Sequence, residues 1–231
     1  GTRRTLWPSG RARAKPPIQT SEGQPGMTAP ERPQIYLLTP PEIDLAGFPD
    51  RLARVLGAHD VACLRLSLAT RDEDRLTRAA DALREVAHAA DVALVIDTHV
   101  VLAERLGLDG VHLTDGARSV RTARKALGPD AIVGAHCGQS RHDGMTAGEA
   151  GADYVAFGPV AGSLGDGALA DRDLFDWWSQ MIELPVVAEG GLDPDIVARL
   201  AAVTDFFAVG EEIWTADDAA AALGGLIAAM G

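Results

Sequence analysis

Imidazoles, carboxylates and an arginine recur in this chain at the ends of short apolar runs. Arg65 and Ser67 close VACLRLS, while Asp97 and His99 sit at the end of VALVID. His112 lies in GVHL with Asp115 just beyond it, His136 and Cys137 follow AIVGA, and Glu189 ends PVVAE. A guanidinium such as Arg65 suits a phosphate, and a histidine such as His136 titrates near working pH and suits proton transfer. Glycines form a second group: Gly158, Gly190-Gly191 and Gly210, each where an apolar run finishes. Without a Cβ, a backbone can approach a ligand closely and offer its N–H groups to an anion.

Each of these residues also has a purely structural use. His112 suits a core histidine hydrogen-bonded to a neighbouring strand, and Asp97 and Asp115 suit capping of the helices that follow them. Glu211 and Glu212 suit the positive end of a terminal helix. Trp177 and Trp178 are adjacent, so one packs inward and the other meets solvent or a partner. Cys63 reads as core.

The elements that must hold these residues follow from the apolar spacing. Runs at 35–39, 61–67, 92–97, 110–113, 131–135, 153–157, 185–189 and 205–210 read as eight strands. Several are apolar on successive residues, as in parallel strands covered on both faces. Alanine- and leucine-rich segments of helical period lie between them. The clearest is 72–90, where Leu76, Ala79, Ala80, Leu83, Val86 and Ala87 form one stripe behind Asp72, Glu73 and Asp74. Eight strands alternating with helices over 34–231 predict a compact, single-domain (βα)8 TIM barrel. An open doubly wound sheet is disfavoured because Gly-x-Gly-x-x-Gly is missing after the first strand. A barrel places working residues at the carboxyl ends of its strands and often holds phosphate at the loops after strands 7 and 8.

Charge and composition bound the partners. The chain has 231 residues and a formal net charge of −12. Residues 1–33 carry six Arg/Lys and two Asp/Glu, which leaves about −16 for the body. So acidic a body argues against nucleic acid as a partner. Residues 1–33 have Pro, Gly, Arg and Ser without apolar periodicity and read as a disordered extension, with Met27 a natural start. Cys63 and Cys137, the only cysteines, lack metal-type spacing and fit reduced thiols in a cytoplasmic protein. No apolar run approaches the roughly 18 residues that cross a bilayer, so no membrane partner is expected. Homo-oligomerisation is left open.

GLDGVHL, GPDAIVGA, GEAGADYVAFGPV and LPVVAEGG, in that order and spacing, resemble the thiamine-phosphate synthase family and its thiazole-tautomerase relatives. The resemblance runs from about residue 35 to 230. It implies a (βα)8 barrel that joins a pyrimidine diphosphate to a thiazole phosphate with Mg²⁺ and releases pyrophosphate. It also implies a small phosphorylated heterocyclic ligand. Arg65 would contact phosphate, Asp97 and Asp115 the metal, and Gly158, Ser163, Gly190, Gly191 and Gly210 the substrate phosphates.

Several family positions are replaced. The strand-2 pattern Gln-Leu-Arg-x-Lys reads Cys63-Leu64-Arg65-Leu66-Ser67, so the lysine is lost. The metal aspartates fall on Thr98 and Ala117, with Asp97 beside the first. The loop-6 Thr-x-Thr-Lys falls on Ser163-Leu164-Gly165-Asp166, and a phosphate-binding serine of strand 8 falls on Gly210, before Glu211. Lys15 and Lys125 are the only lysines, and neither meets these motifs. A lysine on a diphosphate contributes about 1.5–3 kcal/mol, so the usual diphosphate grip is weakened. Three readings follow: a divergent synthase using Arg65, tautomerase-like proton transfer using His136, and a non-catalytic phosphate-ligand-binding barrel.

Overall fold

The computed structural model describes residues 32–162 and 169–231. The expected disorder of 1–33 falls almost wholly outside the described residues, as do the expectations for Ser163 and Asp166. Among the described residues the order is β1 (Gln34–Leu38), α1 (Phe48–Ala58), β2 (Val61–Leu66), α2 (Glu73–Ala89), β3 (Ala93–Asp97), α3 (Val100–Leu106), β4 (Gly110–Leu113) and α4 (Val120–Leu127). The second half holds β5 (Ile132–His136), α5 (Arg141–Ala150), β6 (Tyr154–Phe157), α6 (Arg172–Met181), β7 (Val186–Glu189), α7 (Pro194–Leu200), β8 (Phe206–Val209), α8 (Glu211–Trp214) and α9 (Ala219–Ala228). The eight strands are parallel and close in sequence order, β8 returning to β1. This is the (βα)8 barrel that the apolar spacing predicts.

Two cores follow from the alternation of side chains along each strand. Tyr36, Cys63, Val95, Ile132, Tyr154, Ala156, Val187, Phe206 and Ala208 fill the interior, with Cys63 fully buried. The other strand faces pack under the helices. On α2 the buried stripe is Leu76, Ala79, Ala80, Leu83 and Ala87, and Asp72 caps the helix by accepting from the Arg75 N–H. On α6 the two tryptophans divide as expected: Trp178 is buried edge-on against Phe157 and donates to the Leu184 carbonyl at 2.8 Å. Trp177 is only partly buried and carries the Arg141 guanidinium over its ring.

The lower rim is pinned by a repeated device. Asp109, Asp153 and Asp205, one residue or less ahead of β4, β6 and β8, accept from the N–H groups of Leu94, Val133 and Val186 on the preceding strands at 2.7, 2.8 and 3.0 Å. Each carboxylate thus fixes the stagger between two strands. Asp153 also pairs with Arg124, whose other N–H groups reach the carbonyls of Gly128, Ala131 and Gly151. With the lower rim fixed this way, the upper rim is free to carry chemistry.

Candidate active site

Inside the barrel, a polar stack rises from the apolar floor. Tyr36 and Tyr154, the only tyrosines in the chain, meet hydroxyl to hydroxyl at 2.5 Å, and the Tyr154 oxygen also lies 2.7 Å from His112 Nδ1. Gly134 makes room for this, since a Cβ there would lie 2.0 Å from Tyr154 Cζ. His112 is buried, and burial followed by the nearby Arg65 charge pushes its pKa well below the usual value, so the imidazole is neutral. Its Nε2 has no hydrogen-bond partner among the described residues. The core-histidine reading of His112 therefore describes its lower nitrogen bond, and Nε2 is left over.

Above this stack lies an ion cluster drawn from four strands. Arg65 is 6% exposed, and its guanidinium sits over the Tyr36 ring. Its Nε lies 3.2 Å from Asp97 Oδ1, and its Nη1 lies 3.1 Å from Glu189 Oε2. The second Glu189 oxygen is 2.8 Å from His136 Nδ1, and the second Asp97 oxygen accepts from the Ser67 hydroxyl at 2.5 Å. The Arg65 and His136 contacts lack the angular alignment of hydrogen bonds. They are charge contacts between buried groups.

The two carboxylates respond differently to the same guanidinium. Burial would raise the Glu189 carboxyl, but the Arg65 charge, followed by the His136 contact, overrides it and holds Glu189 far below the usual carboxylate range. Burial raises Asp97, and Arg65 and Ser67 only partly offset that. Glu189 is thus the firmly ionised partner of Arg65, and Asp97 the weaker one.

On the opposite arc of the rim the working groups are backbone. Gly190 and Gly191 have φ of +87° and +81°, where an L side chain is strained. A Cβ on Gly190 would come within 2.9 Å of Pro159, and one on Gly191 within 2.6 Å of the Ala161 oxygen. Their compact turn lets the loop after β6 close on it, with Val160 and Ala161 N–H groups donating to the Gly190 carbonyl. Gly158 is needed for a similar reason, since its Cβ would lie 2.2 Å from the Glu189 backbone carbonyl oxygen.

The short helix α8 completes this arc. It is anchored by Trp214, which donates to the Leu38 carbonyl at 2.6 Å and packs on Phe48. Glu212 then reaches back: its carboxylate accepts from the Gly210 N–H at 2.8 Å and the Leu192 N–H at 3.3 Å. Sequence reasoning assigned Glu212 to the helix dipole, and the bond to the neighbouring loop was not visible from spacing.

The expected metal pair is placed less closely. Both Asp97 oxygens face Arg65 or Ser67, while Asp115 is exposed and accepts from the Ser119 hydroxyl. Neither caps the following helix, whose N-caps are His99 and Ser119. No group of three metal-ligating side chains forms among the described residues. Cys137 is buried, and burial raises its thiol to about 12, so it is not a nucleophile at neutral pH. Tyr36 and Tyr154 were missed by sequence reasoning, and the signal that could have found them was one inward-facing tyrosine in each of two short strands. No described helix is long and apolar enough to cross a membrane.

Comparison with known proteins places this geometry in context. The family profile described as thiamine monophosphate synthase matches residues 35–213. The thiamine-phosphate synthase of Rhodospirillum centenum is 42% identical over 184 residues, covering 78% of this chain and 89% of that protein. The thiamine-phosphate synthase of Erythrobacter litoralis is 42% identical over 195 residues, covering 81% and 91%. Among solved structures, thiamine phosphate pyrophosphorylase from Pyrococcus furiosus superposes with a TM-score of 0.74 at 20% identity, over 85% of this chain and 95% of that one. At that identity the likeness speaks for the fold.

Proposed function

We propose, from the premise that this chain belongs to the thiamine monophosphate synthase family, that it joins a pyrimidine diphosphate to a thiazole phosphate in thiamine biosynthesis. The observation that carries the reading is 42% identity to the Erythrobacter litoralis thiamine-phosphate synthase over 91% of that protein's length. The tautomerase-like and non-catalytic readings have no comparable support.

In this reaction the bond from the pyrimidine's methylene carbon to a diphosphate oxygen breaks, the diphosphate leaves with the electron pair, and the thiazole nitrogen bonds to the carbon. Arg65 is the buried cation of the rim, and a guanidinium is suited in charge and shape to the leaving diphosphate oxygens. The transferred carbon becomes electron-poor as the diphosphate departs. Glu189, kept ionised by Arg65 and His136, supplies fixed negative charge that favours that state. His136 acts here as a positioning residue for Glu189.

Mg²⁺, which the family resemblance implies, does not fit Asp97 and Asp115 as they stand. One is engaged by a guanidinium and a hydroxyl, the other is exposed and turned to Ser119.

The test is formation of thiamine phosphate by purified protein from the two substrates, with and without Mg²⁺. Product is expected, and Arg65→Ala is expected to lower kcat/KM by about a hundredfold, the upper part of the about 1.5–3 kcal/mol of one charge-assisted bond. Absence of product from the wild-type protein under both conditions would sink the reading.

A further inference from the structure

We infer that Glu212 is a specificity-determining residue: its carboxylate fills the anion cradle at the ends of β7 and β8, so that a phosphorylated thiazole enters only by displacing it. The inference rests on the condensation reading above and refines what the thiazole end of the site prefers.

Barrels of this class commonly hold phosphate on N–H groups of the loops after strands 7 and 8 and at the start of a short extra helix. Here α8, which follows β8 directly, is a single turn of four residues, so the cradle rests on the two loops alone. The N–H of Gly210 comes from the β8 loop and that of Leu192 from the β7 loop, and a single carboxylate bridges both. Helix capping alone would have used the Gly210 N–H and left Leu192 aside. By linking the two loops the carboxylate occupies the position in which an external anion would be shared between them.

Electrostatics points the same way. Among the described residues no arginine, lysine or histidine lies within ion-pair distance of Glu212, and Glu211 beside it adds a second negative charge. A phosphate must therefore replace an internal anion and meet the displaced one nearby. A thiazole ending in an uncharged hydroxyl meets neither penalty. Glu212 thus narrows the preference for the phosphate ester over the alcohol, whatever the absolute rate.

The decisive quantity is the ratio of kcat/KM for thiazole phosphate to that for the unphosphorylated thiazole alcohol, in wild type, Glu212→Ala and Glu212→Gln. Emptying or neutralising the cradle is expected to raise the ratio about tenfold or more, the weight of one charge-assisted hydrogen bond. Glu212→Gln removes the charge and keeps one acceptor oxygen, enough for the Gly210 or the Leu192 N–H but not both, so it decides alone if Glu212→Ala does not fold. A ratio that stays level or falls in a folded variant overturns the inference. Should no form turn over either substrate, the condensation reading has failed separately. Calorimetric titration with inorganic phosphate then decides: tighter binding by the variant than by wild type sustains the inference, and equal or weaker binding overturns it.

Discussion

The two arcs of the barrel rim are built on different principles. From β2 to β5, and at Glu189 of β7, the site is made of side chains: one buried guanidinium, two carboxylates and the imidazoles of His112 and His136. From β6 to β8 it is made of backbone, with glycines allowing loops to close and N–H groups to converge. Side-chain sites are rewritten by single substitutions, because each group acts through its own charge and reach. A backbone site is specified by conformation, and here its Gly210 and Leu192 N–H groups donate to Glu212. In both arcs, groups suited to an external anion are met by the protein's own carboxylates.

The largest test of this contrast is Arg65→Leu. It leaves Glu189 and Asp97 buried without their cation, and urea unfolding at pH 7 is expected to show a loss of about 3–5 kcal/mol. The sign with pH is definite. Wild-type Glu189 has a lowered folded pKa, so its contribution is full above the unfolded carboxylate value near pH 4.5 and is lost as the pH falls below it. In the variant, buried carboxylates without a cation protonate readily and cost less. The stability gap should therefore narrow between pH 7 and pH 4; a gap that widens would mean Arg65 is not the stabilising partner.

On the backbone arc the matching variant is Gly191→Ala. A positive φ combined with a Cβ 2.6 Å from the Ala161 oxygen should cost about 2 kcal/mol in urea, with little dependence on pH because no charge is involved. Strong pH dependence would blur the distinction between the arcs. A smaller test concerns Thr98, which has φ +56° at the end of β3, a position where a β-branched residue is strained. Thr98→Gly should be stabilising by up to about 1 kcal/mol in thermal or urea unfolding. A clear loss instead would show that the threonine side chain holds this rim.

How much of this was readable beforehand varied with the range of the interaction. The eight strands were placed to within a residue or so, because apolar runs and helical stripes report local burial. Arg65, Asp97, His136 and Glu189 were legible as strand-end residues, since a parallel barrel sends every such residue to one rim. Their pairing was not legible, because Arg65 and Glu189 are 124 residues apart and nothing in spacing says which side chains share an interior. Asp97 read as a metal ligand or helix cap; a guanidinium and a hydroxyl from β2 and its end claimed it instead. The Tyr36–Tyr154–His112 stack was invisible for the same reason.

The sequence by itself determined the barrel, its rim and the family, because periodicity and glycine placement are local and survive divergence. Only the tertiary structure decided which charges face one another. Arg65 is claimed by Glu189 and Asp97, and the Gly210 and Leu192 N–H groups by Glu212, through contacts that exist only once eight strands have closed with a fixed stagger.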